Sequence, residues 1–298
     1  MNLPDTDIHF DYFKDEGKNF FLSHFHSDHT AGLSRRWYKG TLYTSNITKK
    51  LLHHITKLKG KHVVGIEPGE SIDIISNGNW YEITAFDANH CPGAYMYLIN
   101  SEKGKSLFTG DFRYCDSFKD YASAFSGVHT LYLDDTYLNP KYKFPSQQES
   151  IDQIIKLAYK YPDKIIVFGT YNIGKEKIFL QVAKEFKTKI YTPPQKLRFY
   201  ELMGMGEIFT KDKQETRFYV YNMTVMNYFY SKLDTDEYLI VIPRGWGYGK
   251  KNQEGKVYYI PYSEHSSYDE IMEFLNLTNA KHIYNLHGKP LTFQQELF

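Results

Sequence analysis

Short apolar runs alternate with amphipathic stretches along most of this chain, with Gly, Pro, Asn and Asp between them. That pattern predicts α/β architecture rather than a helical bundle or an all-strand sandwich. Residues 20–23 read as a short buried strand that runs directly into HFHSDH, and residues 40–45 read as a strand leading into a helix over 46–58, capped by Ser45 or Asn46. Residues 81–86 and 94–99 alternate in the manner of strands. So do 106–109 and 130–133, which end at acidic residues. After Tyr137 the units lengthen: helix 147–161, strand 164–169, helix 174–187, strand 189–192. This change predicts a separate parallel α/β module over 138–256 that closes near the Gly-rich turn 243–249. A strand at 257–261, a helix at 266–275 and a strand at 282–286 would then rejoin the first domain, which comprises 1–137 and 257–298.

Composition narrows the class. At 298 residues, 42% hydrophobic and 24% charged, the chain has no apolar run near the roughly 20 residues that a membrane span requires, so a soluble protein is expected. The start, MNLPDTDIHFDYF, has neither a basic, apolar leader nor Arg/Ser richness, and an intracellular site follows as the expectation. Two cysteines, Cys91 and Cys115, are too few for a disulfide scaffold. A formal charge of +1 excludes a uniformly basic coat for nucleic acid, although residues 138–213 carry 14 Lys/Arg against 8 Asp/Glu.

Histidine changes the picture. The 12 histidines include three in HFHSDH, where His24 and His26 alternate on an extended segment and the following turn presents Asp28 and His29. Singly, each would be an ordinary surface or core side chain; in this spacing they read as metal ligands. His90 in DANHCPGA, Asp111 in FTGDFR and His265 in PYSEHSS each follow a predicted strand, with small residues nearby that let backbone approach a charged cluster. Imidazoles and carboxylates suit zinc, and a paired site lowers the pKa of water toward neutrality.

These motifs carry a resemblance. The chain resembles the β-CASP branch of the metallo-β-lactamase superfamily, and in particular the DNA cross-link repair nucleases of the Artemis and Apollo type. Beyond the histidine motif, the resemblance rests on WYKGTLYTSNITKKLL, DANHCPGAYMYL, LFTGDFRY, LYLDDTY, GTYNIGKEKIF, the Gly245 and Trp246 pair, and YIPYSEHSSYDEI, and it spans nearly the whole chain. It implies a metallo-β-lactamase αββα sandwich with an inserted α/β β-CASP domain, holding two metal ions, expected to be zinc. His24, His26 and His90 would hold one ion, Asp28, His29 and His265 the other, and Asp111 would bridge them. Asp134 in LYLDDTY corresponds to the acid that opens the β-CASP region. The implied catalytic set is Asp28, Asp111, Asp134, His265 and His287, and the implied reaction is in-line hydrolysis that leaves a 5′ phosphate. In the resembling nucleases the segment around Lys175 borders a pocket for a 5′ phosphate, with Tyr171, Thr136 and Ser266 as partners here; a Gly-preceded helix start with a lysine suits that task.

Three departures qualify the match. Asp135 stands where the family has a small hydroxyl residue. His287 in NLHGKP occupies a position that is valine in DNA-directed members and histidine in RNA-processing ones. The sequence ends eleven residues beyond His287, which reads as a catalytic core alone. The expected function is a 5′-to-3′ exonuclease that requires a 5′ phosphate, acts in repair of cross-linked or broken DNA, and works in the nucleus. DNA is the preferred partner and RNA a possible one. An RNA-processing endonuclease is the rival reading, and a non-catalytic nucleic-acid-binding subunit is a third. A thioesterase-like hydrolase would use the same ligands but has no use for the inserted module.

Overall fold

Phe20 and Phe21 are both fully buried although successive side chains on a strand point to opposite faces, so their sheet is covered on both sides. In the computed structural model, which describes residues 1–59, 62–232, 234, 236–245 and 251–291, that sheet runs β1 (Ile8–Phe10), β2 (Asn19–Phe21), β3 (Thr41–Ser45), β4 (Val63–Ile66), all parallel. Helix α1 (Asn46–Leu51) starts as expected at Ser45, whose Oγ accepts from the Thr48 amide at 3.1 Å. It is shorter than the predicted 46–58: the backbone widens into a π-helical turn over Leu52–Thr56 and stops at Lys57 in the left-handed region. Trp246 and most of the Gly-rich turn at 243–249 lie outside the described residues.

The next strands form an antiparallel meander: β5 (Ser71–Ser76), β6 (Asn79–Asp87), β7 (Tyr95–Ser101), β8 (Gly104–Phe108). Beyond the short helix α2 (Ala122–Phe125), β9 (Thr130–Leu133) pairs parallel with β8. The core between this sheet and the first contains Phe10, Phe21 and Ile66 from one side and Ile83, Tyr97 and Phe108 from the other. The outer face of the first sheet packs Phe20, Leu22 and Leu42 under Trp37, Leu52 and Leu58.

Residues Lys143–Glu264 make a second unit. Helix α3 (Gln147–Lys160) opens with a capping box in which the Ser146 side chain and Glu149 satisfy each other's backbone amides. A fully parallel sheet follows, built from β10 (Ile165–Thr170), β11 (Ile190–Tyr191), β12 (Phe209–Thr210), β13 (Phe218–Asn222), β14 (Tyr238–Pro243) and β15 (Val257–Ile260), in the spatial order 12-11-13-10-14-15. Helices α4 (Glu176–Phe186), α5 (Pro194–Leu202) and α6 (Met226–Tyr230) connect them. One expectation changes here. The strand at 257–260, assigned from sequence to the first domain, pairs instead with β14, Ile240 against Val257 and Pro243 against Ile260. Its buried Val257 and Ile260 complete this sheet, so the first unit comprises Met1–Tyr142 and His265–Phe298 rather than 1–137 and 257–298.

The chain then returns to the first unit through α7 (Tyr268–Thr278), which also opens with a capping box, Ser267 and Glu270. The last strand, β16 (His282–Asn285), pairs parallel with β9. Phe274 of α7 packs on Phe112 and on Phe125 of α2, and Phe125 meets Phe86 of β6, so helices cover the outer face of the second sheet. The first unit is the αββα sandwich expected from the resemblance. No helix among the described residues is long and apolar enough to cross a membrane.

Candidate metal centre

Because β6 and β8 are each antiparallel to β7, while β8, β9 and β16 are mutually parallel, four strands of one sheet end at the same edge. The residues just beyond those ends are His90, Asp111, Asp134 and His287. From the other sheet, β1 ends before Asp11 and β2 before the segment that carries His24 to His29. Regular pairing thus delivers ligand-type side chains from distant parts of the sequence to one rim. Close approach at that rim needs Gly110: its φ is +51°, and a Cβ there would stand 2.6 Å from the Ser23 Cβ.

Hydrogen bonds behind the cluster assign the tautomers. Ser23 Oγ donates to Asp11 Oδ2 at 2.6 Å, which uses its only proton, so the 2.9 Å contact with His24 Nδ1 is a donation by the ring. His29 Nδ1 donates to Asp11 Oδ2 at 2.7 Å, and His265 Nδ1 donates to Asp134 Oδ2 at 2.7 Å. Three imidazoles are therefore held from outside through Nδ1 and turn Nε2 toward Asp111. Outer partners of this kind orient histidines in proteins that bind metals.

The inner separations fit an ion. His24 Nε2 lies 2.8 Å from His26 Nδ1, which lies 3.2 Å from His90 Nε2; Asp111 Oδ2 lies 3.6 Å from His24 and 3.7 Å from His90. These values bracket the about 3.3 Å edge of a tetrahedron with bonds of about 2.0–2.1 Å to zinc. The four donor atoms all lie within 4.8 Å of one another, as do donors of Asp111, Asp134 and His265. Burial pushes His24 well below the ordinary histidine value, and the imidazoles of His29, His26, His90 and His265 reinforce it, so His24 is neutral and able to coordinate. Burial alone would lower His29 too, but the carboxylates of Asp111 and Asp11 outweigh it and hold that ring well above the ordinary value. The 3.2 Å contact between His29 Nε2 and Asp111 Oδ1 thus demands a positive charge, a proton or a metal ion.

The remaining candidates divide. Asp28 is largely exposed, 77% for its side chain, with Oδ2 at 3.7 Å from His29 Nε2. Asp134 is buried, and both oxygens are occupied: Oδ2 accepts from His265 Nδ1 and the Phe112 amide, Oδ1 from the Thr136 amide and hydroxyl. Burial would raise its carboxyl, but His265 and Thr136 hold it below the ordinary range. Asp134 therefore orients His265 while keeping a carboxylate oxygen close to donors of Asp111 and His265, and Thr136 spends its proton on Asp134. Ser266, expected beside a phosphate, is buried and staples the His265 loop to the Asp111 loop: its Oγ donates to the Phe112 carbonyl and accepts from the Tyr114 amide. Asp135 is exposed on the turn after β9. His287 is exposed on the turn after β16, next to the end of β9, and its imidazole makes no hydrogen bond or ion pair among the described residues.

The Lys175 segment departs further from expectation. Lys175 sits in the left-handed region, with φ 75°, immediately before α4. Its amide donates to Glu264 Oε1, the Gly174 amide donates to Glu176 Oε1 at 2.8 Å, and the Lys175 ammonium lies 3.6 Å from Glu264 Oε2. The helix start that looked ready for a phosphate is already filled by two of the protein's own carboxyl groups. Tyr171 is exposed on the same loop.

Sequence reasoning missed Asp11, which anchors both Ser23 and His29. It also missed the Arg113–Glu270 pair, at 2.8 Å, whose arginine donates to the His265 carbonyl. A lone Asp after a three-residue strand gives no periodic signal; its position one residue beyond β1 becomes informative only once β1 is seen beside β2.

Comparison with known proteins agrees with this geometry. Residues 205–286 match the family described as DNA repair metallo-beta-lactamase. The chain is 36% identical to 5′ exonuclease Apollo of Rattus norvegicus over 92% of its own length and 52% of that protein. It is also 36% identical to DNA cross-link repair 1A protein of Homo sapiens, over 86% and 27% of the two chains, and 33% identical to DNA ligase 6 of Arabidopsis thaliana, over 94% and 22%. The chain thus spans about half or less of these relatives. A crystal structure of a protein of unknown function from Enterococcus faecalis V583 shares the fold, with TM-score 0.63 over 94% of this chain and 80% of the other, at 15% identity.

Proposed function

We propose that the chain is a DNA repair metallo-β-lactamase of the β-CASP branch and, as such, a metal-dependent nuclease that hydrolyses DNA from ends bearing a 5′ phosphate and acts in DNA repair in the nucleus. The observation that carries this reading is the cluster on Asp111, whose imidazoles are held from behind by Asp11, Ser23 and Asp134. His24, His26 and His90 would hold one ion and Asp28, His29 and His265 a second, with Asp111 between them. Two bound divalent ions, zinc by the chemistry of the donors, would neutralise phosphate charge and lower the pKa of water. Asp11 keeps the His29 proton on Nδ1 so that Nε2 stays a ligand, and Asp134 does the same for His265. Exposed Asp28 would order when it meets an ion.

The RNA-processing alternative rests on His287. A free imidazole at the end of β16 could give a proton to a leaving oxygen, which valine could not. Digestion of end-labelled DNA and RNA strands, with and without a 5′ phosphate, in zinc, manganese or chelator, tests the proposal. DNA bearing a 5′ phosphate should be shortened fastest and chelator should stop it. Faster RNA cleavage would select the alternative, and cleavage unaffected by chelator would remove both.

A further inference from the structure

In the second unit, the connection leaving β11 runs outward to β12, while the one leaving β13 runs the other way, past β10 to β14. Neighbouring parallel strands whose onward connections part in this way leave a crevice at their C-terminal ends, where open α/β sheets bind ligands. A cavity of about 480 Å³ lies there, within the range of small-ligand sites. Its lining includes Lys196, Lys213, Tyr221, Asn222, Thr224 and Tyr228, and, among the described residues, no Asp or Glu.

The polar groups are organised. Buried Lys196 donates to the Tyr171 carbonyl and, at 3.2 Å, to Asn222 Oδ1, which leaves Asn222 Nδ2 to donate to Asn172 Oδ1 at 3.0 Å. Lys213, exposed, holds its ammonium 5.3 Å from the centre of the Tyr191 ring and 5.9 Å from that of Tyr219, which keeps a mobile cation near the crevice. Phe229 meets Tyr221 at 4.8 Å and stands nearly perpendicular to Tyr228 at 5.1 Å, so Tyr228 is braced through its neighbour while 57% of it remains exposed. A braced, exposed ring and a lysine that line one cavity, with no carboxylate among its described lining residues, match a flat base joined to a phosphate.

We propose that this crevice binds one nucleotide of a single strand, with its base on Tyr228 and its phosphate at Lys213. The proposal rests on the nuclease reading and adds to it a subsite carried wholly by the second unit. The test uses the full chain. Binding of 5′-phosphorylated (dT)12 labelled with fluorescein at its 3′ end is followed by anisotropy in chelator, so that cleavage does not intervene, for wild type, Tyr228→Ala, Tyr228→Phe and Lys213→Ala. Cleavage with metal restored is followed in parallel. Tyr228→Ala should weaken binding about tenfold and Tyr228→Phe little, since stacking needs only the ring. Lys213→Ala should also reduce the salt dependence of binding by about one phosphate's contribution. Both alanine variants should raise KM with kcat retained. If wild type binds and cuts DNA while both variants match it in affinity and salt slope, the subsite is wrong and the nuclease reading stands. If wild type neither binds nor cuts (dT)12, both fall.

Discussion

Replacing Asp11 by Asn alters one atom and, on this account, weakens a metal site that Asp11 does not touch. The buried carboxylate accepts three hydrogen bonds, from the Ser23 amide at 2.7 Å, the Ser23 hydroxyl at 2.6 Å and His29 Nδ1 at 2.7 Å, the last two on one oxygen. An amide has a single acceptor oxygen. If that oxygen keeps the backbone amide, the hydroxyl and the imidazole both face an NH2 group; if it turns to keep them, the Ser23 amide does. Either way at least one buried donor is unsatisfied, which costs about 1–3 kcal/mol. His29 also loses the charge that fixes its tautomer. Loss of such an outer partner typically lowers metal affinity about 10–100-fold, or about 1.4–2.7 kcal/mol. The assay is titration of metal-free protein with zinc against a chromophoric competitor, and the ion held through His29 should be the one that weakens. Excess metal should restore much of the activity, because Asp11 touches neither ion nor substrate. Unchanged affinity at both sites would refute the reasoning, and so would an activity loss that saturating metal does not relieve.

Burial raises the Glu176 carboxyl to about 8, with nearby Glu264 adding to the effect. The folded protein therefore holds an extra proton between the ordinary carboxyl value and about pH 8, and stability should fall through that window by at most about 1.4 kcal/mol per pH unit. Lys196, lowered by burial to about 8, gives the opposite slope only above that pH, so it does not cancel the decline. Denaturant melts from pH 5 to 8 should show the fall in wild type and a flatter profile in Glu176→Gln; a flat wild-type profile would remove the protonated carboxyl. His287→Val should slow cleavage of both polymers, with the larger loss on RNA, as matched DNA and RNA strands would show; equal rates would leave that imidazole without a part. Lys175 pairs with Glu264, so Lys175→Ala should narrow the rate difference between 5′-phosphorylated and 5′-hydroxyl DNA only if a phosphate displaces that pairing; an unchanged ratio places 5′-phosphate recognition elsewhere.

What could be read from sequence was local. Strand 130–133 is seen where it was expected because its apolar alternation stops at an acid. The clustering of the HFHSDH histidines was legible because their spacing alone brings His24, His26 and His29 together. Strand β1 escaped because IHF is three residues flanked by polar ones, and with it went Asp11. The Gly174–Lys175 turn looked like an anion site because Glu264, which occupies it, lies 89 residues further on. The same distance effect misassigned Val257–Ile260: nothing in VYYI says which of two sheets it will join, and only its pairing with β14 decides. Ser266 and Asp134 were recognised as site residues, but their roles as a staple and a holder of His265 depend on partners that no short motif contains.

The central claim is that Asp111 stands between two metal ions. It is tested most directly by elemental analysis of protein purified without chelator, for wild type and Asp111→Ala together. Donors above those needed for one tetrahedral site, and a carboxylate whose two oxygens face different imidazoles, predict about two ions per chain in wild type. In the variant the count should fall to one or fewer and hydrolysis should be lost. Wild-type protein without zinc, iron or manganese, whose activity no added metal restores, or a variant that keeps both ions, would contradict the account.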